Sequence, residues 1–194
     1  TKIISQTAYP ILTPEEYYER IGLVSNVVFP SGALIKNDEV YLYYGAADTV
    51  CCLSTIKLSS LLSKLTKNET AYFKTFERYN KNPILTPNPQ VAWQTKAVFN
   101  PGAILLNNKI HLVYRAMSMD NTSVIGYATS LNGFDIDYNY PNPIYTPRED
   151  FESKYIPNGN SGCEDPRLTK IGSRIYMCYT AYNSRDLPRV ALTS

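Results

Sequence analysis

Three copies of one sequence motif divide this chain into repeated units. Pro-Ile-Leu-Thr-Pro stands at residues 10–14 and again at 83–87, and a third copy, Pro-Ile-Tyr-Thr-Pro, stands at 143–147. The copies begin 73 and 60 residues apart. A repeat of this kind indicates a fold built from successive similar units, and it is a stronger constraint than length or composition.

Two more motifs follow each copy in the same order. One aligns three residues that precede a strand pattern: Pro30, Asn100 and Asp165. The other is an apolar strand pattern that ends in tyrosine, at 40–44, 110–114 and 175–179. Both sets are spaced by 70 and then by 65 residues. Chance does not explain three motifs that keep their order three times.

Each unit has the sequence pattern of short β-strands. Alternating β-branched and aromatic residues are separated by turn signals such as Asn107-Asn108 and Gly172-Ser173. We therefore predict an all-β fold, a β-propeller of about three blades, with one short surface helix near 58–65. A β-sandwich is the alternative, but it does not explain a threefold repeat.

Propeller geometry places equivalent positions of successive blades around one central channel. Asn100 and Asp165 are therefore predicted to lie on the same rim of that channel, one blade apart. Arg115 directly follows the strand-ending Tyr114 and is a further polar residue of the repeat. The repeat thus brings polar residues that are far apart in the sequence towards one cleft.

Composition limits the partners and the compartment. Nineteen Lys and Arg residues against 17 Asp and Glu leave a net charge of +2, which is too small and too scattered to indicate a nucleic-acid or membrane partner. The four cysteines include the neighbours Cys51 and Cys52 and lack the spacing of a zinc site. We therefore predict free thiols, no metal and a cytoplasmic location.

The ordered motifs resemble those of an enzyme family. Residues 9–65, with Val-Phe-Pro-Ser-Gly and Tyr-Gly-Ala-Ala-Asp, resemble the C-terminal end of glycoside hydrolase family 130, the β-mannoside phosphorylases and related β-mannosidases. We therefore assign 1–65 to a blade of C-terminal type and 66–194 to two blades of N-terminal type, in inverted order. The motifs of N-terminal type are Asn-Pro-Ile-Leu at 82–85, Val-Phe-Asn-Pro at 98–101, Val-Tyr-Arg-Ala at 113–116 and Gly-Cys-Glu-Asp-Pro-Arg at 162–167.

The resemblance implies a five-bladed type of propeller and cleavage of β-mannoside oligosaccharides by phosphorolysis. Asp165 matches the single general acid, which acts through a sugar hydroxyl. Asn100 and Arg115 match residues that bind the sugar in the cleavage subsite, and Asp48 matches one that binds the adjoining sugar. Arg167 and Arg115 are cations that could hold substrate oxygens or phosphate. Inorganic phosphate is the implied co-substrate, with no other cofactor.

Several alternatives stay open on the sequence. Asp165 could cap a turn, Arg115 could form a structural ion pair, and Asp48 could start a turn. The chain is either a junction of two tandem propellers, with Asp48 and Asp165 in different sites, or a permuted form in which they share one cleft. A β-mannoside hydrolase and a non-catalytic glycan- or protein-binding module are the alternative functions. Since an open arc of blades exposes strand edges, we predict self-association or further blades from a longer chain.

Overall fold

The computed structural model describes residues 2–3, 5–7, 9–66 and 76–194. It is all-β with two helices, α1 (Tyr17–Arg20) and α2 (Leu58–Thr66), and α2 is the surface helix that the sequence predicts. A single 3₁₀ turn covers Ala92–Gln94. The strands are β1 (Val28–Lys36), β2 (Glu39–Ala46), β3 (Val50–Lys57), β4 (Glu77–Arg78), β5 (Ala97–Leu106), β6 (Lys109–Met117), β7 (Thr122–Ser130), β8 (Tyr138–Asn139), β9 (Ser161–Ile171), β10 (Arg174–Tyr182) and β11 (Arg189–Thr193).

The strands form three antiparallel meanders that we call blades. The first blade is β1-β2-β3-β4, the second is β5-β6-β7-β8, and the third is β9-β10-β11. A short parallel bridge between β7 and β9, at Thr122 and Ser123, joins the last two blades into one hydrogen-bonded sheet. The first strands of the blades lie side by side, β1 on β5 and β5 on β9. This is the radial order of a propeller.

An apolar core lies between each pair of neighbouring blades. Leu53 of the first blade packs into one core with Leu112 of the second. Val113 packs into another core with Met177 of the third blade. Successive side chains of a strand point to opposite faces, so β6 contributes to both cores. The outer face of the first blade, which includes Leu42, is covered by α2 and the segment at 11–12.

Glycine is required where neighbouring blades approach most closely. A Cβ on Gly32 would lie 2.6 Å from the carbonyl oxygen of Pro101, and a Cβ on Gly102 would lie 2.5 Å from that of Pro166. Both glycines occupy the same position of the repeat. The third copy of that position is Arg167 in β9, and no further blade lies beside β9 within the described residues.

Replacing Gly102 with Ala is expected to destabilise the fold by about 1–3 kcal/mol, because the methyl group forces two backbones apart. Urea unfolding measures the effect. Gly172→Asn is the matched control, since nothing lies within 4 Å of its Cβ position and Asn tolerates its φ of 61°. Equal stability of Gly102→Ala and the parent protein would contradict the close blade contact.

Three other sequence predictions concern thiols, metals and membranes. All four cysteines are free, as predicted, and Cys51, Cys52 and Cys163 are buried. Within the described ranges, no group of three or more His, Cys, Asp or Glu side chains is placed to hold a metal ion. No helix in those ranges is long and apolar enough to cross a bilayer.

Candidate active site

A β-bulge in each inner strand prepares the site. The strands β1, β5 and β9 all shift register at the equivalent position of the repeat. In β5 the bulge contains Asn100, with φ of 50°, and in β9 it contains Asp165, with φ of 51°. Among residues other than glycine, Asn and Asp tolerate this left-handed conformation best. The fold therefore has a local reason to favour these two residue types at the rim.

Asp165 is held by residues of the second blade. The Asn100 side chain donates a hydrogen bond from Nδ2 to Asp165 Oδ1 at 2.8 Å. The Arg115 guanidinium approaches the same oxygen at 3.5 Å. Asn100 is buried, whereas 27% of the Asp165 side chain is exposed. The carboxyl group is therefore fixed in position and still accessible to a ligand.

Arg115 makes its shortest ion pair with Glu164 rather than with Asp165. Its NH2 group lies 2.7 Å from Glu164 Oε1, and its Nε donates to Ser123 Oγ at 2.9 Å. Ser123 also hydrogen-bonds Glu164. The guanidinium lies 4.8 Å from the centre of the Phe99 ring, a cation–π distance. Burial raises the pKa of the Glu164 carboxyl, and the attraction of Arg115 offsets only part of that rise.

The turn between β2 and β3 brings the first blade to the same site. The backbone N–H of Val98 donates to the carbonyl oxygen of Thr49 at 3.0 Å, which fixes this turn on β5. The neighbouring Asp48 is near enough for the charges of Arg115 and Asp165 to act on it. Burial raises the pKa of Asp48, Arg115 opposes the rise, and Asp165 adds to it.

Gly45, in β2 beside this turn, allows the first blade to approach Asn100. A Cβ at Gly45 would overlap Asn100 Oδ1. That oxygen is buried and has no hydrogen-bond partner in the described part of the chain. The side chain of Asn100 is therefore wedged between two blades, with its amide group directed to Asp165.

Arg167 lies beside Asp165 but braces the backbone. Its NH1 group donates to the carbonyl oxygens of Asp165 and Pro166, both at 3.1 Å. Its guanidinium lies 5.6 Å from the centre of the Phe29 ring across the arc. Burial lowers the pKa of the Arg167 guanidinium. Arg167 therefore links the first and third blades more than it neutralises the Asp165 carboxylate.

Residues from three blades meet at this rim, and Asp48 and Asp165 share one cleft. Sequence reasoning proposed five of these residues: Asp48, Asn100, Arg115, Asp165 and Arg167. It treated Glu164 only as a weak candidate for a second carboxylate, and it missed Ser123. A serine on a strand carries no distinctive sequence signal. Only the register of β6 and β7 shows that its hydroxyl faces Arg115.

The family follows from a sequence profile. The profile described as beta-1,4-mannooligosaccharide phosphorylase, that of glycoside hydrolase family 130, matches residues 1–68 and 64–193. The chain belongs to this family. The resemblance found in the sequence motifs is thereby confirmed.

Relatives of family 130 match the chain over part of their length. The β-1,2-mannobiose phosphorylase of Thermoanaerobacter sp. (strain X514) is 36% identical over 122 residues, which are 56% of this chain and 38% of that protein. A structure from a study of family-130 hydrolases that target β-1,2 mannosidic linkages in Candida mannan is 30% identical, with a TM-score of 0.54. It covers 64% of this chain and 39% of its own. This chain therefore spans about two fifths of the length of these relatives.

A more distant structure bears on the fold alone. The family-32 β-fructofuranosidase of Bombyx mori, in complex with sucrose, has a TM-score of 0.58 at 14% identity. It covers 87% of this chain and 35% of its own. Together with the family-130 structure, this likeness confirms the predicted β-propeller architecture.

Proposed function

We propose that this chain supplies the general acid and part of the sugar-binding site of an enzyme that cleaves β-mannosides by phosphorolysis. The observation that carries the proposal is the convergence of Asp48, Asn100, Arg115 and Asp165 at one cleft. Membership of a family with curated mannobiose phosphorylases supports it. Inorganic phosphate would be the co-substrate.

The proposed reaction needs one protein carboxyl group. A phosphate oxygen attacks C1 of the mannosyl unit and forms the new C–O bond, so phosphate replaces the second carboxylate of ordinary glycosidases. The glycosidic C1–O bond breaks, and its electron pair stays on the leaving oxygen. Asp165 passes a proton to that oxygen through a sugar hydroxyl and regains one from dihydrogen phosphate or solvent. Asn100 and Arg115 hold the mannosyl unit, and Asp48 binds the adjoining sugar.

We also propose that 1–65 corresponds to the C-terminal blade of the family and 66–194 to its N-terminal part. The two separate segments of the profile match, 1–68 and 64–193, support this division. Arg167 is the cation of the site that remains without an ion pair to a carboxylate among the described residues. It is our candidate for a phosphate ligand, and further cations would come from blades that this chain does not contain.

One assay distinguishes the candidate functions. The protein, at the length at which its source makes it, is incubated with β-1,2-mannobiose or short β-mannan oligosaccharides, with phosphate or with sulfate as the matched anion. We expect mannose 1-phosphate with phosphate and no cleavage with sulfate. Release of free mannose in both reactions would replace the proposal with a hydrolase. Binding of the oligosaccharides without any cleavage would replace it with a non-catalytic module.

A further inference from the structure

A buried glutamate supports the strand-ending tyrosine of the first blade. Glu19 is fully buried, and its Oε2 accepts hydrogen bonds from the backbone N–H groups of Glu15 and Glu16 at 2.7 and 2.9 Å. Its Oε1 accepts one from the hydroxyl of Tyr44 at 2.8 Å. Glu19 follows the proline of the Thr-Pro motif by five residues.

The third blade repeats this arrangement. Glu152 is also fully buried and also follows a Thr-Pro motif by five residues. Its Oε2 accepts hydrogen bonds from the backbone N–H groups of Arg148 and Glu149 at 2.8 and 3.1 Å. Its Oε1 accepts one from the hydroxyl of Tyr179 at 2.5 Å. The two carboxylates therefore have the same backbone and tyrosine partners.

In the first blade, the outermost strand supplies a cation that the third blade lacks. Arg78 in β4 contacts Glu19 with Nε at 2.7 Å and NH2 at 2.9 Å. Arg78 pairs with Ser54 across the sheet. Ser54 lies two residues beyond Cys52, the cross-strand partner of Tyr44. These pairings define the position that an outermost strand must occupy to reach the buried group.

The second blade has neutral groups at both positions. Tyr114 donates to Asn139 Oδ1 in β8 at 2.8 Å and lies 3.5 Å from Gln94 Oε1. Asn139 pairs with Ala128, which lies two residues beyond the cross-strand partner of Tyr114. Asn139 is therefore the equivalent of Arg78. Within this chain, a buried carboxylate is matched by a cation and a buried amide by an amide.

The third blade has the carboxylate without the strand. Among the described residues, β11 pairs only with β10, and Glu152 has no ion pair. The β11 side chains Val190 and Leu192 are 81% and 66% exposed. The nearby cation Arg148 stacks on Tyr145, with 4.0 Å between its guanidinium carbon and the ring centre. A buried carboxylate without a cation and a strand edge without a partner therefore occur together.

We propose that the free edge of β11 binds an antiparallel β-strand whose basic residue lies opposite Thr193 and pairs with Glu152. Thr193 is the position because it lies two residues beyond Ala191, the cross-strand partner of Tyr179. The occupant is an extended peptide segment that carries arginine, whose planar fork matches a carboxylate. Pairing matters because a buried charge without a counter-charge is strongly destabilising.

The chain offers its own probe. A synthetic peptide with the sequence of residues 76–82, which contains Arg78, is titrated into the isotope-labelled 194-residue chain and followed by NMR. We expect shifts and slower amide exchange in β11, and at least about tenfold weaker binding of the Arg78→Gln peptide. In the Glu152→Gln protein the two peptides should bind alike. Gln is a suitable replacement because Gln94 occupies the equivalent place in the second blade.

The titration also states what would overturn the inference. Equal affinity of the two peptides for the parent protein would show that strand pairing alone suffices, or that Arg148 already serves Glu152. Shifts confined to β3 would show that the peptide only replaces β4. Self-association through β11 that is unchanged in Glu152→Gln would also overturn it. The test requires no catalytic activity, so it is independent of the proposed function.

Discussion

Replacing Asp165 with Asn is expected to reduce β-mannoside phosphorolysis by about 10²–10⁴-fold, the usual contribution of a general acid. Asn has the same shape, tolerates the φ of 51°, and accepts the hydrogen bond from Asn100 through its own Oδ1. It cannot deliver a proton. The initial rate of mannose 1-phosphate formation measures the loss, on the protein as its source makes it.

The matched control is Asp38→Asn. Asp38 also has a left-handed backbone, with φ of 61°, but lies in the turn between β1 and β2. We expect full activity from this variant, and unfolding midpoints close to that of the parent protein for both. An Asp165→Asn rate close to the parent rate would assign Asp165 to turn structure and remove it as the acid.

The surroundings of Asp165 bear on its role because neighbouring cations favour an ionised carboxylate. Arg115 lies 2.7 Å from Glu164 but 3.5 Å from Asp165. Arg167 donates to backbone carbonyl oxygens and not to the Asp165 carboxylate. Both cations thus make their closest contacts elsewhere. This division of contacts favours Asp165 as a proton donor, and it gives Glu164 the task of holding Arg115.

The repeat predicted the rim because equivalent positions of a propeller share one radius. Offsets of 70 and 65 residues align Asn100 with Asp165, and the structure joins the two side chains by a hydrogen bond. The repeat could not predict Glu164. Neighbouring residues of a regular strand point to opposite faces, so Glu164 and Asp165 should not reach the same cation. The bulge in β9 breaks the alternation, and both carboxylates reach Arg115.

The buried glutamates were hidden by composition. Glu15, Glu16 and Glu19 look like an exposed acidic run, because carboxylates are rarely buried without partners. The signal was in the spacing, since Glu19 and Glu152 each follow a Thr-Pro motif by five residues. The partner Arg78 is 59 residues from Glu19, and only the pairing of β3 with β4 brings them together.

Arg78 and Glu19 form the most buried ion pair of the described residues. The Arg78 side chain is 8% exposed and the Glu19 side chain is fully buried. Arg78 also donates to the carbonyl oxygen of Thr13 at 2.6 Å and to Glu15 at 3.1 Å. Burial alone would raise the pKa of Glu19. Its hydrogen bonds to Arg78, two backbone N–H groups and Tyr44 outweigh burial and lower that pKa below its ordinary value of 4.5.

Arg78→Met is therefore expected to destabilise the protein by about 3–5 kcal/mol near neutral pH, because it leaves Glu19 buried and unpaired. Since the native pKa of Glu19 is lowered, its stabilising contribution is present above pH 4.5 and is lost as the pH falls through the native pKa. In the variant, burial is no longer outweighed, and protonation of Glu19 relieves the strain on the folded state. The difference between the two proteins should therefore shrink from neutral pH to about pH 4 in urea unfolding.

Two further variants separate the ion pair from general effects of losing an arginine. Arg185→Met removes an exposed ion pair with Asp186 and should cost well under about 1 kcal/mol. Arg78→Met combined with Glu19→Gln should be more stable than Arg78→Met alone, since the neutral amide can still accept both backbone hydrogen bonds. A double variant less stable than Arg78→Met would mean that the charge of Glu19 is not what Arg78 balances. The support of Tyr44, and with it the inference drawn for Glu152, would then need a different physical basis.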